Sequence, residues 1–279
     1  MSSGDATPGR LYVVSTPIGN MGDFSFRAVD VLRAVAAILA EDTRHSRPLL
    51  DRYAIHTPLV AYHEHNEAKS TPGFVERLLS GEDLALISDA GTPLLSDPGG
   101  RLVAAATDAG VVIVPVPGAS ALLAALVASG ISAERFTFFG FLARSGKERR
   151  ETIEEIARLR HTAVFYEAPS RVAATLADLS KAGAGQRQTA VARELTKLYE
   201  EVRRGTVEAL AAYYEEATPR GELVIVVAGG EADVLDEEVF RARARVLRAE
   251  GLSARDVARA LTDESGAPRN VAYKIAQEE

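Results

Sequence analysis

The chain has 279 residues, 47% of them apolar and 25% charged, with 22 Gly, 12 Pro and no Cys. That composition is the one of a globular protein, which excludes wholesale disorder, collagen and coiled coil, and zero cysteine excludes disulfides, Cys-ligated metal and a thiol nucleophile. The net charge of −7, from 32 basic and 39 acidic residues, excludes a polycation built to coat nucleic acid, but leaves room for local basic faces because most of the cations are arginine.

The opening MSSGDATPGR is polar and has no apolar h-region, so residues 1–10 are expected to be a disordered lead-in. Short apolar runs then alternate with helical patterns. Strands are predicted at Leu11–Ser15, Ala37–Ala40, Leu59–Tyr62, Leu84–Ile87 and Val111–Val114. Helices are predicted at Phe26–Ala34, Ser46–Arg52, Ala68–Leu79, Pro98–Ala109 and Ala119–Ala128. This βαβα order implies a mostly parallel sheet covered by helices. Ser25 is expected to cap the first helix, and Ser96-Asp97-Pro98 to open the fourth. The stretch Val111–Ala133 carries no charge and is long enough to span a bilayer, but Pro115, Pro117 and Gly118 break it. It reads as a buried strand followed by a buried helix, and the protein as soluble and cytoplasmic.

The rhythm changes after Ala133. Strands are predicted at Arg135–Gly140, Thr162–Tyr166, Thr189–Ala192 and Leu223–Ala228, with helices at Glu148–Leu159, Arg171–Lys181 and Val207–Glu216. Beyond Gly229 the chain is acidic to Glu238, then arginine-rich and helical, with Leu252-Ser253 as a helix start. The expected organisation is a first α/β domain over 11–132, a second over 133–230 and a helical tail over 231–279.

Several chemistries are missing. No G-x-G-x-x-G or G-x-S-x-G occurs, and Gly140–Lys147 fails as a P-loop because its glycines are one residue too far apart and Glu148 replaces the Ser/Thr. His63, Glu64, His65 and Glu67 read as polar residues leaving a strand, so no metal site is expected. What remains is four loops, each directly after an apolar strand: STPIGN at 15–20, EDTRH at 41–45, SDAGTP at 88–93 and PVPGAS at 115–120. In open α/β sheets ligands bind at the carboxyl ends of strands, so four such loops along one sheet edge mark a site.

STPIGN, AEDTRHS, SDAGTPLLSDPG and PVPGASA, followed by VFYEAPSR and VARELTKLYEE, closely resemble the ribosomal RNA small-subunit methyltransferase I group. That group belongs to the tetrapyrrole-methylase-like class of S-adenosylmethionine enzymes. The resemblance runs from about Leu11 to Gly229. It implies two α/β domains with the methyl donor in the cleft between them, a homodimer, and transfer of a methyl group to the 2′-hydroxyl of a cytidine in the decoding region of 16S ribosomal RNA, free or in the 30S subunit. It also implies donor contacts at Asp89, Gly91, Thr92, Ser120, Ala121, Tyr166, Ala192 and Glu222. Tetrapyrrole-modifying members carry a Gly-x-Gly-Pro-Gly-Asp-like first loop; the Ser15–Asn20 loop departs from it, which points away from a porphyrinoid substrate.

A ribose hydroxyl is a poor nucleophile, so a base or a cation near the developing alkoxide is expected. Lys197, Glu194 and Glu41 are the candidates, with the bland alternatives of an i,i+3 surface pair for Glu194 and Lys197 and an acidic helix start for Glu41. Asn20, Arg44 and Arg171 in the matching loops and Arg241, Arg245 and Arg248 in the tail are the expected RNA contacts. Arg144, Lys147, Arg149 and Arg150 form a further basic cluster, interleaved with glutamates. A small-molecule methyltransferase and a non-catalytic ribosome assembly factor are the competing readings.

Overall fold

The computed structural model describes residues 7–230, 237–265 and 269–279. Two compact units result, residues 7–228 and the tail from Gly229 onward. The acidic stretch 231–236 and the first six residues of the expected lead-in lie outside the described residues. The rest of the lead-in is placed: the Gly9 amide donates to the Leu78 carbonyl at 2.8 Å and Arg10 already belongs to the first strand.

The first sheet is built from β1 (Arg10–Val14), β2 (Ala37–Ala40), β3 (Leu59–Ala61), β4 (Leu84–Ile87) and β5 (Val112–Val116), in the order β3-β2-β4-β1-β5 and parallel throughout. Every residue of β2 and β4 is buried, as central strands covered on both faces require. Pro115 is tolerated because β5 is an edge strand. Helices α1 (Phe26–Ala34), α2 (Thr43–Arg52), α3 (Glu67–Leu79), α4 (Gly100–Asp108) and α5 (Ala121–Ser129) alternate with the strands. Ser25 caps α1 as expected, its Oγ accepting from the Ala28 amide at 3.1 Å, a cap worth about 1 kcal/mol.

Two helix starts differ from expectation. Asp42 caps α2 through the Arg44 amide at 2.8 Å, so the helix opens three residues earlier than Ser46. Conversely, α4 opens only at Gly100, behind Gly99. Ser96 and Leu94 adopt positive φ, which turns SDPG away from a capping geometry and sends Asp97 toward a cavity instead. The uncharged stretch resolves into β5 and α5, and no helix among the described residues is long and apolar enough to cross a membrane.

The second sheet contains β6 (Phe136–Phe141), β7 (Thr162–Glu167), β8 (Gln188–Arg193), β9 (Glu201–Thr206) and β10 (Leu223–Val227) in the order β6-β7-β10-β8-β9. It is mixed: β6 and β7 are parallel and the other neighbours antiparallel. The strand β9, EVRRGT, has no apolar run, and it is an edge strand that needs none. Helices α6 (Gly146–Arg158), α7 (Val172–Leu179) and α8 (Val207–Glu216) cover the face away from the cleft.

The opposite face is covered by α5. Leu122, Ala125 and Leu126 pack with Val164, Ala190, Val224 and Val226. The division expected at Ala133 therefore does not follow the packing, because α5 lies on the second sheet while its N-terminus continues from the first.

The tail is three helices, α9 (Glu237–Ala249), α10 (Ala254–Ser265) and α11 (Arg269–Glu278), around a core of Leu247, Val257, Leu261 and Ile275. Ser253 starts α10 as expected, accepting from the Asp256 amide at 3.2 Å.

Candidate functional site

The loops after β1, β4 and β5 are tied together by their own backbones. Thr16 and Gly91 exchange hydrogen bonds at 2.8 and 3.1 Å. The Ser15 and Thr92 hydroxyls lie 3.0 Å apart, and Thr92 Oγ1 donates to the Ala119 carbonyl at 3.3 Å. Asp89 joins the loop after β2 to this group by accepting from the Asp42 amide at 3.0 Å.

Between these loops and the ends of β7 and β10 lies a first cavity of about 330 Å³. Asp89, Gly91, Thr92, Ser120, Ala121, Tyr166 and Glu222, all expected as donor contacts, line it. Ala192 does not: it is fully buried in the core between α5 and the second sheet. Ser120 caps α5, so the helix opens onto the cavity with its first amides. Tyr166 meets Phe138 edge-on and Phe141 at a tilt, and burial pushes its phenol up.

Asp97 lines the cavity too, although in the sequence S-D-P reads as a helix cap. Burial, then repulsion from Glu41, pushes its carboxyl up to about 6, with Ser88 offsetting part of the effect. Glu41 is raised as well, by burial and by Asp89. It lines neither cavity but forms the acidic surroundings of Asp89 and Asp97. Asp89 and Asp97 thus stand on the cavity wall with the Glu41 carboxylate behind them.

A second cavity of about 460 Å³ adjoins the first. Ile18, Asp89, Ala90 and Glu222 line both and form the common wall. Arg44, His45 and Lys197 bring nitrogen to the second cavity, and Met21, Pro48 and Leu49 give it apolar surface. Arg44 is 89% exposed and paired with Asp42 at 2.8 Å, and its hydrogen bonds hold that carboxyl well below the usual range.

Lys197 stands on a strained turn after β8. Glu194 and Thr196 both have positive φ, and such geometry in non-glycine residues costs about 1–2 kcal/mol each. The Lys197 ammonium lies 2.9 Å from Glu194 and 3.0 Å from Glu222. Burial works against its charge, but the bonds to Glu194 and Glu222 outweigh that and hold its pKa above the ordinary value. Lys197 is thus a cation rather than a base. Its hydrogen bond holds Glu194 below the usual carboxylate range. Gly221, at φ +88°, has no room for a side chain: a Cβ would stand 2.2 Å from Glu194 Oε1. Gly19 is equally crowded, its position for a Cβ lying 2.4 Å from Lys197 Cγ. The first loop therefore rests directly on the lysine turn, an association completed by the Asn20 amide donating to Thr196 Oγ1 at 3.1 Å.

Other expected contacts are placed elsewhere. The Asn20 side chain caps a short turn through the Gly22 amide and lines neither cavity. Arg171 Nε lies 2.8 Å from the fully buried Glu167 carboxylate, and its Nη2 donates to the Leu142 carbonyl. Thr175 completes the satisfaction of Glu167 at 2.6 Å. Arg171 is thereby a structural partner, and Arg149 likewise serves Asp178 and Thr175. In the tail, Arg241 and Arg245 pair with Glu278 and Glu279, and Arg248 donates to the Leu252 carbonyl.

Residues 10–211 match the model of the tetrapyrrole (corrin/porphyrin) methylases. A ribosomal RNA small subunit methyltransferase I of Synechocystis sp. is 44% identical, over 97% of this chain and 98% of that protein. One of Bacillus subtilis is 48% identical, over 85% of this chain and 80% of that protein. Among solved structures, uroporphyrin-III C-methyl transferase from Thermus thermophilus complexed with S-adenyl homocysteine covers 79% of this chain and 97% of its own, with TM-score 0.57 and 19% identity, a likeness of fold. A match of this length to the family model, with relatives this similar over nearly the whole chain, places the protein in the tetrapyrrole methylase family, among its ribosomal RNA small subunit methyltransferase I members.

Proposed function

We propose that the protein transfers a methyl group from S-adenosylmethionine to the 2′-hydroxyl of a cytidine in small-subunit ribosomal RNA, and so works in the cytoplasm. The observation that carries this reading is the pair of adjoining cavities with one common wall, since methyl transfer needs donor and acceptor face to face across a short gap. The first cavity fits the donor: it offers apolar surface, helix-end amides and carboxylates suited to a cationic ligand. Asp89, Gly91, Thr92, Ser120, Ala121, Tyr166 and Glu222 hold the donor, joined by Asp97. Bound there, the donor supplies an electrophilic methyl carbon.

The second cavity takes the acceptor nucleotide. Arg44 at its mouth suits a phosphate, and Lys197 in its wall suits the acceptor oxygen. The hydroxyl proton passes to solvent water as the oxygen takes the methyl group, and Lys197, as an ammonium, donates a hydrogen bond to that oxygen and stabilises negative charge as it develops. Glu194 and Glu222 orient the ammonium and hold its proton on. Glu41 adds to the negative field rather than touching substrate. The first-loop departure from the glycine-rich tetrapyrrole pattern has a physical counterpart, because Gly19 and Asn20 are spent on seating the lysine turn. For the tail, RNA binding rests on the same charge argument as in the sequence, with Arg245 the more open cation of its carboxylate pairs at 61% exposure, against 28% for Arg241.

The protein is further proposed to be a homodimer. α5 carries no charge, and its Leu123 and Val127 are 52% and 82% exposed, a costly display of apolar surface for a monomer. Val127→Glu should shift the mass seen by light scattering from dimer to monomer; a wild-type protein that is monomeric contradicts the assignment.

Two further outcomes follow from the site. Wild-type protein given labelled donor and small subunits lacking the modification should place label on a cytidine ribose, and Lys197→Met should lower kcat about 10²–10³-fold while leaving donor affinity unchanged. Label on a base, or on a tetrapyrrole alone, contradicts the reaction assigned. Asp97 generates the second. Its carboxyl is raised from 3.8 to about 6, so the proton it holds contributes stability that is fully present below the lower value and lost as pH rises through the upper one. A cationic donor offsets the resulting negative charge. Donor affinity should therefore rise between about pH 5 and pH 7, and Asp97→Asn should abolish that rise while raising the Tm of the free protein at neutral pH. Calorimetry showing the same pH dependence in both proteins would contradict the role.

A further inference from the structure

One feature of the second cavity is not explained by fold or by charge. Ser46, on the first turns of α2, is 4% exposed, and its Oγ is buried with no hydrogen-bond partner among the described residues. Buried hydroxyls are nearly always bonded, and a missing partner carries a free-energy cost that a purely structural serine has no reason to bear. Ser46 also lines the second cavity, between His45 and the apolar surface of Pro48 and Leu49.

Its place within that cavity is informative. The wall shared with the first cavity is formed by Ile18, Asp89, Ala90 and Glu222, and Ser46 is not part of it. The reacting hydroxyl must lie at the shared wall, beside Lys197. Arg44 is the open cation at the mouth. An occupant with its ribose at the wall and its phosphate at the mouth has its base left to lie along α2. There Pro48 and Leu49 offer a surface for the flat face, and Ser46, whose Oγ is covered in the free protein, offers one group that both donates and accepts once its side chain turns about χ1 toward the cavity.

We infer that Ser46 reads the base of the acceptor nucleotide, and that this nucleotide enters the second cavity unpaired and turned out of its stack. The inference rests on the donor and acceptor placement proposed above. A residue so little exposed cannot meet the edge of a base still held in a duplex, so the nucleotide has to leave its neighbours first. Serine at this position is therefore a specificity-determining residue, which acts on the choice of base and not on the methyl donor.

Ser46→Ala provides a test in which stability and function separate. A serine that serves only the ligand leaves the free protein no less stable when its unpartnered hydroxyl is removed. The Tm should be unchanged or raised, and donor affinity should stay within about twofold. With small-subunit RNA carrying cytidine or uridine at the methylated position, the variant should lose about tenfold or more of the wild-type kcat/KM for cytidine, and with it the preference over uridine. Wild-type activity should also vanish when a complementary oligonucleotide pairs across the target. Full activity with unchanged base preference in Ser46→Ala would overturn the inference, as would equal methylation of the paired target. A fall in Tm with parallel loss of donor binding would make Ser46 structural and overturn it too. If the wild-type protein methylates no RNA at all, the reaction proposed above fails first and takes this inference with it.

Discussion

The packing of α5 against the second sheet fixes where everything else lies. Its N-terminus follows directly from the loop after β5, while Leu122, Ala125 and Leu126 are held by strands of the other sheet. The helix thus belongs by connectivity to one half and by burial to the other. Burying an aliphatic side chain of this kind contributes about 1.5–3 kcal/mol, so three of them make a firm seam. Because of that seam, the carboxyl-end loops of β1, β4 and β5 face the ends of β7 and β10 across a narrow gap. A freely hinged pair of sheets would have no shared wall.

Charge around the gap is divided with some economy. The donor side gathers Glu41, Asp89 and Asp97, whose mutual repulsion and burial keep two of the three carboxyls above their ordinary values. The acceptor side has Lys197, kept protonated by Glu194 and Glu222. Negative groups thus face the cavity proposed for a cation, and a positive group faces the cavity proposed for an oxygen that becomes negative. Backbone strain is found in the same places: Leu94 and Ser96 beside the first cavity, Glu194 and Thr196 beside the second. The bonds from the Asn20 amide to Thr196 and from Lys197 to Glu194 hold the second pair in conformations that they would not adopt alone.

Much of this was legible in the residues. The apolar runs of β2, β4, β7 and β10 are central strands, and the burial that makes them apolar also makes them visible. Ser25 and Ser253 announce their helices because the capping bond is local. The Gly/Pro loops after β1, β4 and β5 betray a site because such residues are needed for backbone to approach backbone. What stayed hidden depended on contacts far apart in sequence. β9 is an edge strand of charged residues, so no periodicity marks it. Asp97 resembles a cap, and only the turn at Leu94 and Ser96 shows that it faces a cavity instead. Arg171 resembles an RNA contact until Glu167 and Thr175 are seen to claim it. Ser46 is ordinary in sequence and becomes notable only because its hydroxyl is buried without a partner.

The central claim is that donor and acceptor meet at the wall formed by Ile18, Asp89, Ala90 and Glu222. A crystal structure of the protein with S-adenosylhomocysteine tests it most directly. The ligand should occupy the cavity between Thr92, Ala121 and Tyr166, with its sulfur turned toward Asp89 and Glu222 and the cavity beside Lys197 left open. A ligand seated in the cavity beside Lys197, or one whose sulfur faces away from that wall, would contradict the account.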